Sequence, residues 1–185
     1  GMNMIRIGQS SDIHQLVEGR NLILGGVKIE HTKGLFGHSD ADALLHAIAE
    51  AILGSVALGD LGKHFPDTDP KWKGADSMRI LEGCNDLLHQ KGYHVVNVDS
   101  LVMIERPKMA PHIQQMRENI ANALHVDVDF VNVKATRGEK MGFVGREEGV
   151  LAQDEQPGFY IYEEEFSAEW VRCICQSTEM SEKER

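Results

Sequence analysis

The feature that most constrains the fold is a change of hydrophobic period along the chain. Before residue 40 the apolar residues come in short extended runs. Ile5 and Ile7 alternate with polar neighbours, and Leu22–Leu24 is separated from Val27 and Ile29 by Gly25-Gly26. Two short runs around a Gly-Gly turn predict a β-hairpin. Beyond Asp40 the spacing becomes helical, with Leu44, Leu45, Ile48, Ala49, Ile52 and Leu53 on successive turns and Ser39 or Asp40 as N-cap. A second helix, carrying Met78, Leu81, Leu87 and Leu88, stops at Gly92; a third has Pro111 in its first turn and continues through Ile113, Met116, Ile120 and Leu124. Tyr93 to Glu105 and Phe130 to Val133 read as strands, Gly62 to Gly74 as a loop, and Gly142 to Gly149 as a Gly-rich connection. The order β-hairpin, α, α, β, α, β predicts an α+β fold, an α/β sandwich in which helices cover a mixed sheet.

Composition narrows the function. The 185 residues carry 19 Lys+Arg against 29 Asp+Glu, a net charge of −10, and the pI is about 5.3. No Lys/Arg cluster stands out, which argues against a nucleic-acid partner. No apolar run reaches the roughly 18 residues of a membrane span, and Met2 to Arg6 lacks the apolar core of a secretory signal. Three cysteines, Cys84, Cys173 and Cys175, make no disulfide framework. A cytoplasmic protein is expected. Charge is uneven, however. From Asp154 onward nine acidic residues face three basic ones. That shift predicts a domain over residues 4–153 and a solvated acidic extension over 154–185, dispensable for assembly, in which Phe159 to Tyr162 alternates enough to form an edge strand.

Several segments hold chemistry-bearing residues. Asp12 and His14 lie two apart, so in an extended segment both point to one side and can share a cation. His46 sits inside the first helix, four residues after Asp42 and on its face, and would complete a three-ligand site with an open position. His38 and Ser39 precede that helix, where free N–H groups favour an anion. Asp60, Asp67 and Asp69 lie in a loop whose carboxylates can accept sugar hydroxyls. Thr136, Arg137 and Glu139 share a tight turn after a strand, a set suited to a magnesium diphosphate. No Ser/His/Asp triad is present.

Five segments in order resemble one enzyme family. Asp12-x-His14, His38 to His46, Ala57 to Pro70, Pro107-Lys108-Met109-x-Pro111-His112 and Asn132 to Gly149 are similar to the 2-C-methyl-D-erythritol 2,4-cyclodiphosphate synthases of non-mevalonate isoprenoid biosynthesis, over about residues 4–153. The resemblance implies a metal-dependent phosphorus–oxygen lyase that cyclises 4-diphosphocytidyl-2-C-methyl-D-erythritol 2-phosphate and releases CMP. It implies zinc, or another divalent cation, on Asp12, His14 and His46, with His38 and Ser39 at the terminal phosphate. Asp60, Leu61 and Gly62 would hold the ribose, and Phe65, Pro66, Asp67, Thr68 and Asp69 the methylerythritol. Ile104, Glu105, Arg106, Pro107, Lys108, Met109 and Ala110 would form the cytosine pocket. Thr136, Arg137, Gly138 and Glu139 would face the diphosphate, with Glu139 on a magnesium or manganese ion. It further implies a homotrimer with active sites between subunits and a central cavity that can accept an isoprenoid diphosphate, near Phe143 and Arg146.

Three departures from the family pattern stand out. Gln9-Ser10-Ser11 replaces His-Gly-Phe. Thr136-Arg137-Gly138-Glu139 replaces Thr-Thr-Thr-Glu, putting Arg137 in a catalytic position. The closing apolar strand is broken by Asp154-Glu155-Gln156-Pro157-Gly158. The second departure keeps open a non-catalytic zinc-containing trimer that binds a nucleotide or isoprenoid diphosphate, and a zinc phosphohydrolase is a third reading.

Overall fold

The structure is a computed structural model and describes residues 5–72, 74–154 and 172–177. Strands β1 (Ile5–Gly8) and β2 (Ser10–Glu18) run in line on either side of Gln9, and β3 (Leu22–Leu24) and β4 (Val27–Ile29) form the hairpin around Gly25-Gly26. After β5 (Lys33–Leu35) come α1 (Ala43–Ser55), the single turn α2 (Leu61–His64) and α3 (Ser77–Gln90). Then follow β6 (Tyr93–Met103), α4 (Ile113–Leu124), β7 (Val131–Thr136), the short α5 (Gly142–Gly145), β8 (Gly149–Asp154) and β9 (Arg172–Ser177).

Seven strands form one mixed sheet in the order β1-β9-β6-β8-β2-β5, with β7 parallel to β6 and the other pairs antiparallel. The predicted α+β class is what the chain adopts. Ten of the thirteen residues of α1 are buried, so this helix is the centre of the core, between the sheet and α3. It comes so close to β1 that a Cβ at Gly8 would lie 1.7 Å from the Ala51 carbonyl oxygen, which only glycine tolerates. Among the described residues no helix is long and apolar enough to cross a membrane.

Four expectations need correction. The N-cap of α1 is Asp42, not Ser39 or Asp40, because Ala41 takes a left-handed conformation (φ 54°) that delays the first helical turn. Asp42 then accepts from the N–H groups of Leu45, Gly25 and Gly26 at 3.0, 3.0 and 2.8 Å, tying the hairpin turn to the helix. This carboxylate occupies the N-terminal N–H groups that the sequence offered to an anion near His38 and Ser39. The loop from Gly62 is interrupted by α2, capped by Asp60. Phe130 closes a 3-10 turn and is exposed rather than in a strand.

The acidic extension is not wholly an appendage. Along β6, Asp99 pairs with Arg172 and Ser100 with Asp154, so β8 and β9 occupy one continuous strand position with residues 155–171 between them. Along the neighbouring strands, Gly8 pairs with Cys173 and Ser10 with Asp154 in the same way. The family's closing strand is therefore interrupted rather than lost: its second half returns from residue 172. The expected edge strand at Phe159 to Tyr162 lies outside the described residues.

Candidate functional site

The strand β2 alternates outward and inward residues, so Asp12 and His14 both face α1. His46, on the first full turn of that helix, meets them there. Ligand atoms of the three residues lie within 4.8 Å of one another, the one such group among the described residues. His14 Nε2 is 2.8 Å and His46 Nδ1 3.5 Å from Asp12 Oδ2. The i−4 residue Asp42, although on the same face, is not the side-chain partner of His46. Asp42 serves the backbone, and His46 Nε2 instead lies 2.7 Å from Ser77 Oγ.

The donor set fits a divalent cation. His14 Nδ1 sits 2.9 Å from the Phe36 carbonyl, which can only accept, so the ring proton belongs there and Nε2 faces Asp12 bare. Asp12 Oδ2 is buried and lacks a donor of proper geometry. Burial would raise the Asp12 pKa, but the close His14 and His46 rings outweigh it and hold it below the usual carboxylate value. Burial would likewise lower His14, but Asp12, the Phe36 carbonyl and the Asp42 charge raise it. Both shifts say that this point calls for positive charge, which a proton or a metal ion can supply.

The triad opens into a cavity of about 290 Å³ whose lining includes His38, Ser39, Leu61, Gly62, Phe65 and Asp67. Arg20 holds the His38–Ser39 loop in place. Its guanidinium donates to the carbonyls of Leu35, Gly37 and Ser39 at 3.1, 3.1 and 2.8 Å. Ser10, one of the departures, donates to Glu50 on α1, whose other carboxylate oxygen takes the Leu61 N–H at 3.3 Å. Strand, helix and α2 loop are thereby joined on the cavity's rim. Phe65 is buried with its ring edge against Trp72 (centroids 4.6 Å apart) and above Gly83. Pro66, Thr68, Asp69 and Asp60 do not line the cavity: Asp60 caps α2 at the Lys63 N–H, and Asp69 accepts from the Lys71 N–H.

A second cavity, about 430 Å³, has no lining residue in common with the first. Ile104, Pro107, Lys108, Met109 and Ala110 form it together with Thr136 and Arg137, and the Arg106–Pro107 peptide is cis. Glu105 and Arg106 do not line it. Glu105 accepts the Gly138 N–H at 2.9 Å and so fixes the 136–139 turn against this loop. Gly138 serves close packing rather than freedom for its neighbour, since a Cβ there would lie 2.4 Å from the Gly145 nitrogen. Arg137 and Glu139 are exposed, and Arg137 makes no ion pair with Glu139 or Glu147 among the described residues. Arg146 pairs with Glu148 instead of standing free, and Phe143 packs beside Gly149. Sequence reasoning missed Trp72 and Ile113, which line the two cavities, and Arg20, Glu50 and Ser77, which brace the first one from outside; none of the five belongs to a motif.

Residues 5–154 match the YgbB family. The chain belongs to this family. It is 64% identical over 148 residues to the 2-C-methyl-D-erythritol 2,4-cyclodiphosphate synthase of Chloroherpeton thalassium, a match covering 80% of this chain and 94% of that protein. Among solved structures it is similar to the bifunctional IspDF of Campylobacter jejuni, with TM-score 0.81 and 38% identity, covering 95% of this chain and 43% of that one. This chain thus spans less than half of that bifunctional protein. It also matches a 2C-methyl-D-erythritol-2,4-cyclodiphosphate synthase described as its CDP-bound form, with TM-score 0.76 and 29% identity, over 92% of this chain and 98% of that one. The YgbB match ends at Asp154, while the sheet of this chain continues in β9.

Proposed function

We propose that this chain converts 4-diphosphocytidyl-2-C-methyl-D-erythritol 2-phosphate to 2-C-methyl-D-erythritol 2,4-cyclodiphosphate and CMP, in the isoprenoid biosynthesis of the cytoplasm. The observation that carries this is the convergence of Asp12, His14 and His46 on one open cavity, in a chain 64% identical to a synthase of that name.

The substrate brings its own nucleophile. An oxygen of its 2-phosphate attacks the β-phosphorus, the bond to CMP breaks, and CMP leaves with the electron pair as an eight-membered ring closes. The chain's task is then to hold the two phosphates in line and to offset their charge. Asp12, His14 and His46 would hold zinc or another divalent cation, and magnesium or manganese would sit at Glu139; these ions supply positive charge to the phosphates. His38, at the mouth of the first cavity, and Ser39 bind the terminal phosphate. Asp60, Leu61 and Gly62 hold the ribose, and residues 65–69 the methylerythritol. The loop Ile104 to Ala110 takes the cytosine, largely by its backbone, while Thr136, Arg137 and Gly138 approach the diphosphate. Arg137 brings several charged donors in a planar fork to oxygens on which charge accumulates as CMP departs.

The functional unit is a homotrimer with active sites between subunits. Two features support it: the two cavities share no residue, and Ile5, Ile7 and Ile13 stand 56, 38 and 60% exposed on the face of the sheet away from α1. The central space of such a trimer, near Phe143 and Arg146, would accept an isoprenoid diphosphate. CMP release from the cytidylyl substrate, with and without a chelator, tests the reading. Steady release that chelation abolishes supports it, and no release under either condition rejects it.

A further inference from the structure

The hydroxyl of Ser77 is fully buried between two polar groups, and it has one proton to give. On one side is Asp40, whose carboxylate also accepts the Ser77 N–H at 3.0 Å and the Asp42 N–H at 3.2 Å. On the other is His46 Nε2, at 2.7 Å. An ionised carboxylate is acceptor only and the stronger competitor for a proton, so the Ser77 O–H points to Asp40. The oxygen can then only accept from His46, which fixes the imidazole proton on Nε2. Nδ1 is left as a bare lone pair, and it is Nδ1 that faces Asp12 Oδ2 at 3.5 Å.

We propose that Asp40 and Ser77 form a positioning relay that sets the tautomer and ring orientation of His46 for metal binding. Asp40 reaches it from the loop before α1 and Ser77 from the first turn of α3, so the relay also clamps two elements around the ligand. His14 is set independently by the Phe36 carbonyl. The inference rests on the metal reading of the triad given above.

Two substitutions probe it in different ways. Ser77→Ala removes the acceptor of the Nε2 proton. Asp40→Ala removes the acceptor of the Ser77 O–H, which can then turn toward His46 and place the ring proton on Nδ1. The full-length protein, stripped of metal, is titrated with zinc against a chromogenic chelator, and the His46 ring nitrogens are read by NMR. The parent is expected to carry its proton on Nε2, and both variants to bind zinc about ten- to a hundredfold more weakly, the usual scale for lost outer partners of a ligating histidine. Zinc affinities within about twofold of the parent in both variants would overturn the relay. So would a parent His46 protonated on Nδ1, a reading that needs no variant to fold. A parent that takes up no zinc removes the triad as a metal site and the relay with it. Zinc uptake by the parent with unaffected variants removes the relay alone.

Discussion

Asp42 gives the chain a stability that falls as pH rises. Its carboxylate is fully buried, and burial pushes its pKa from 3.8 up to about 6, with three backbone N–H groups opposing the shift and the neighbouring Asp40 charge adding to it. A carboxyl whose folded pKa is raised binds more protons in the folded than in the unfolded state between those values. Its contribution is therefore fully present below pH 4 and is lost as pH climbs through 6. At 1.36 kcal/mol per pH unit the loss is about 3 kcal/mol. Asp42→Asn removes the titration. Its amide oxygen can still accept from Leu45 and Gly25, which both bond Oδ1, but its NH₂ would face the Gly26 N–H, which bonds Oδ2. That donor-to-donor contact leaves a buried N–H without a partner, a cost of about 1–3 kcal/mol, which the protonated carboxyl of the parent shares at low pH because its own O–H meets one of the same donors. Urea unfolding of both proteins, with chelator present throughout, is to be followed from pH 4 to pH 7.5. The difference between the two proteins is expected to move by about 3 kcal/mol in the variant's favour between pH 4 and pH 7.5. A difference between the two that stays constant across this range would refute the argument, since every other titrating group is common to both.

Three further outcomes follow from the packing and the charges. Ending the chain at Gln153 removes the strand that pairs with β1 and with the Tyr93–Asp99 half of β6, so the product should be insoluble or unfold without cooperativity in sizing and circular dichroism; a well-folded oligomer would return the tail to a dispensable role. Arg20→Met removes three guanidinium bonds from the His38–Ser39 loop and should cost about 2–4 kcal/mol by urea titration, from charged bonds of roughly 1.5–3 kcal/mol each with part restored by water. Arg137→Ala should lower kcat by about tenfold or more while leaving Tm unchanged, because the side chain is exposed at the rim of the second cavity; an alanine variant as fast as the parent would leave Arg137 a surface residue.

What the sequence revealed depended on how local the cause was. The Gly25-Gly26 hairpin and the three long helices are set by turn chemistry and apolar period within one window of the chain, and they form in the segments the pattern marks, although Pro111 falls in the 3-10 turn Ala110–His112 before α4 and not in the helix itself. Asp12 and His14 were legible because a strand's alternation alone places them on one side. The true N-cap of α1 was not, since Asp42 is chosen by a left-handed Ala41 and by a hairpin seventeen and sixteen residues upstream. Ser77 was unreadable for the same reason: its partners Asp40 and His46 lie 37 and 31 residues away. The return of β9 after residues 155–171 was hidden by composition, because an acidic stretch looks like the end of a domain even when a strand follows it.

Cyclisation without water separates this chemistry from hydrolysis, and the mass of the product decides between them. The purified protein is incubated with 4-diphosphocytidyl-2-C-methyl-D-erythritol 2-phosphate and a divalent cation, and the products are separated and weighed by mass spectrometry. CMP is expected together with the cyclic diphosphate, in equal amounts and with no free phosphate. CMP accompanied by an open-chain diphosphate heavier by one water, or free phosphate in place of the ring, would contradict it and make the site a hydrolase.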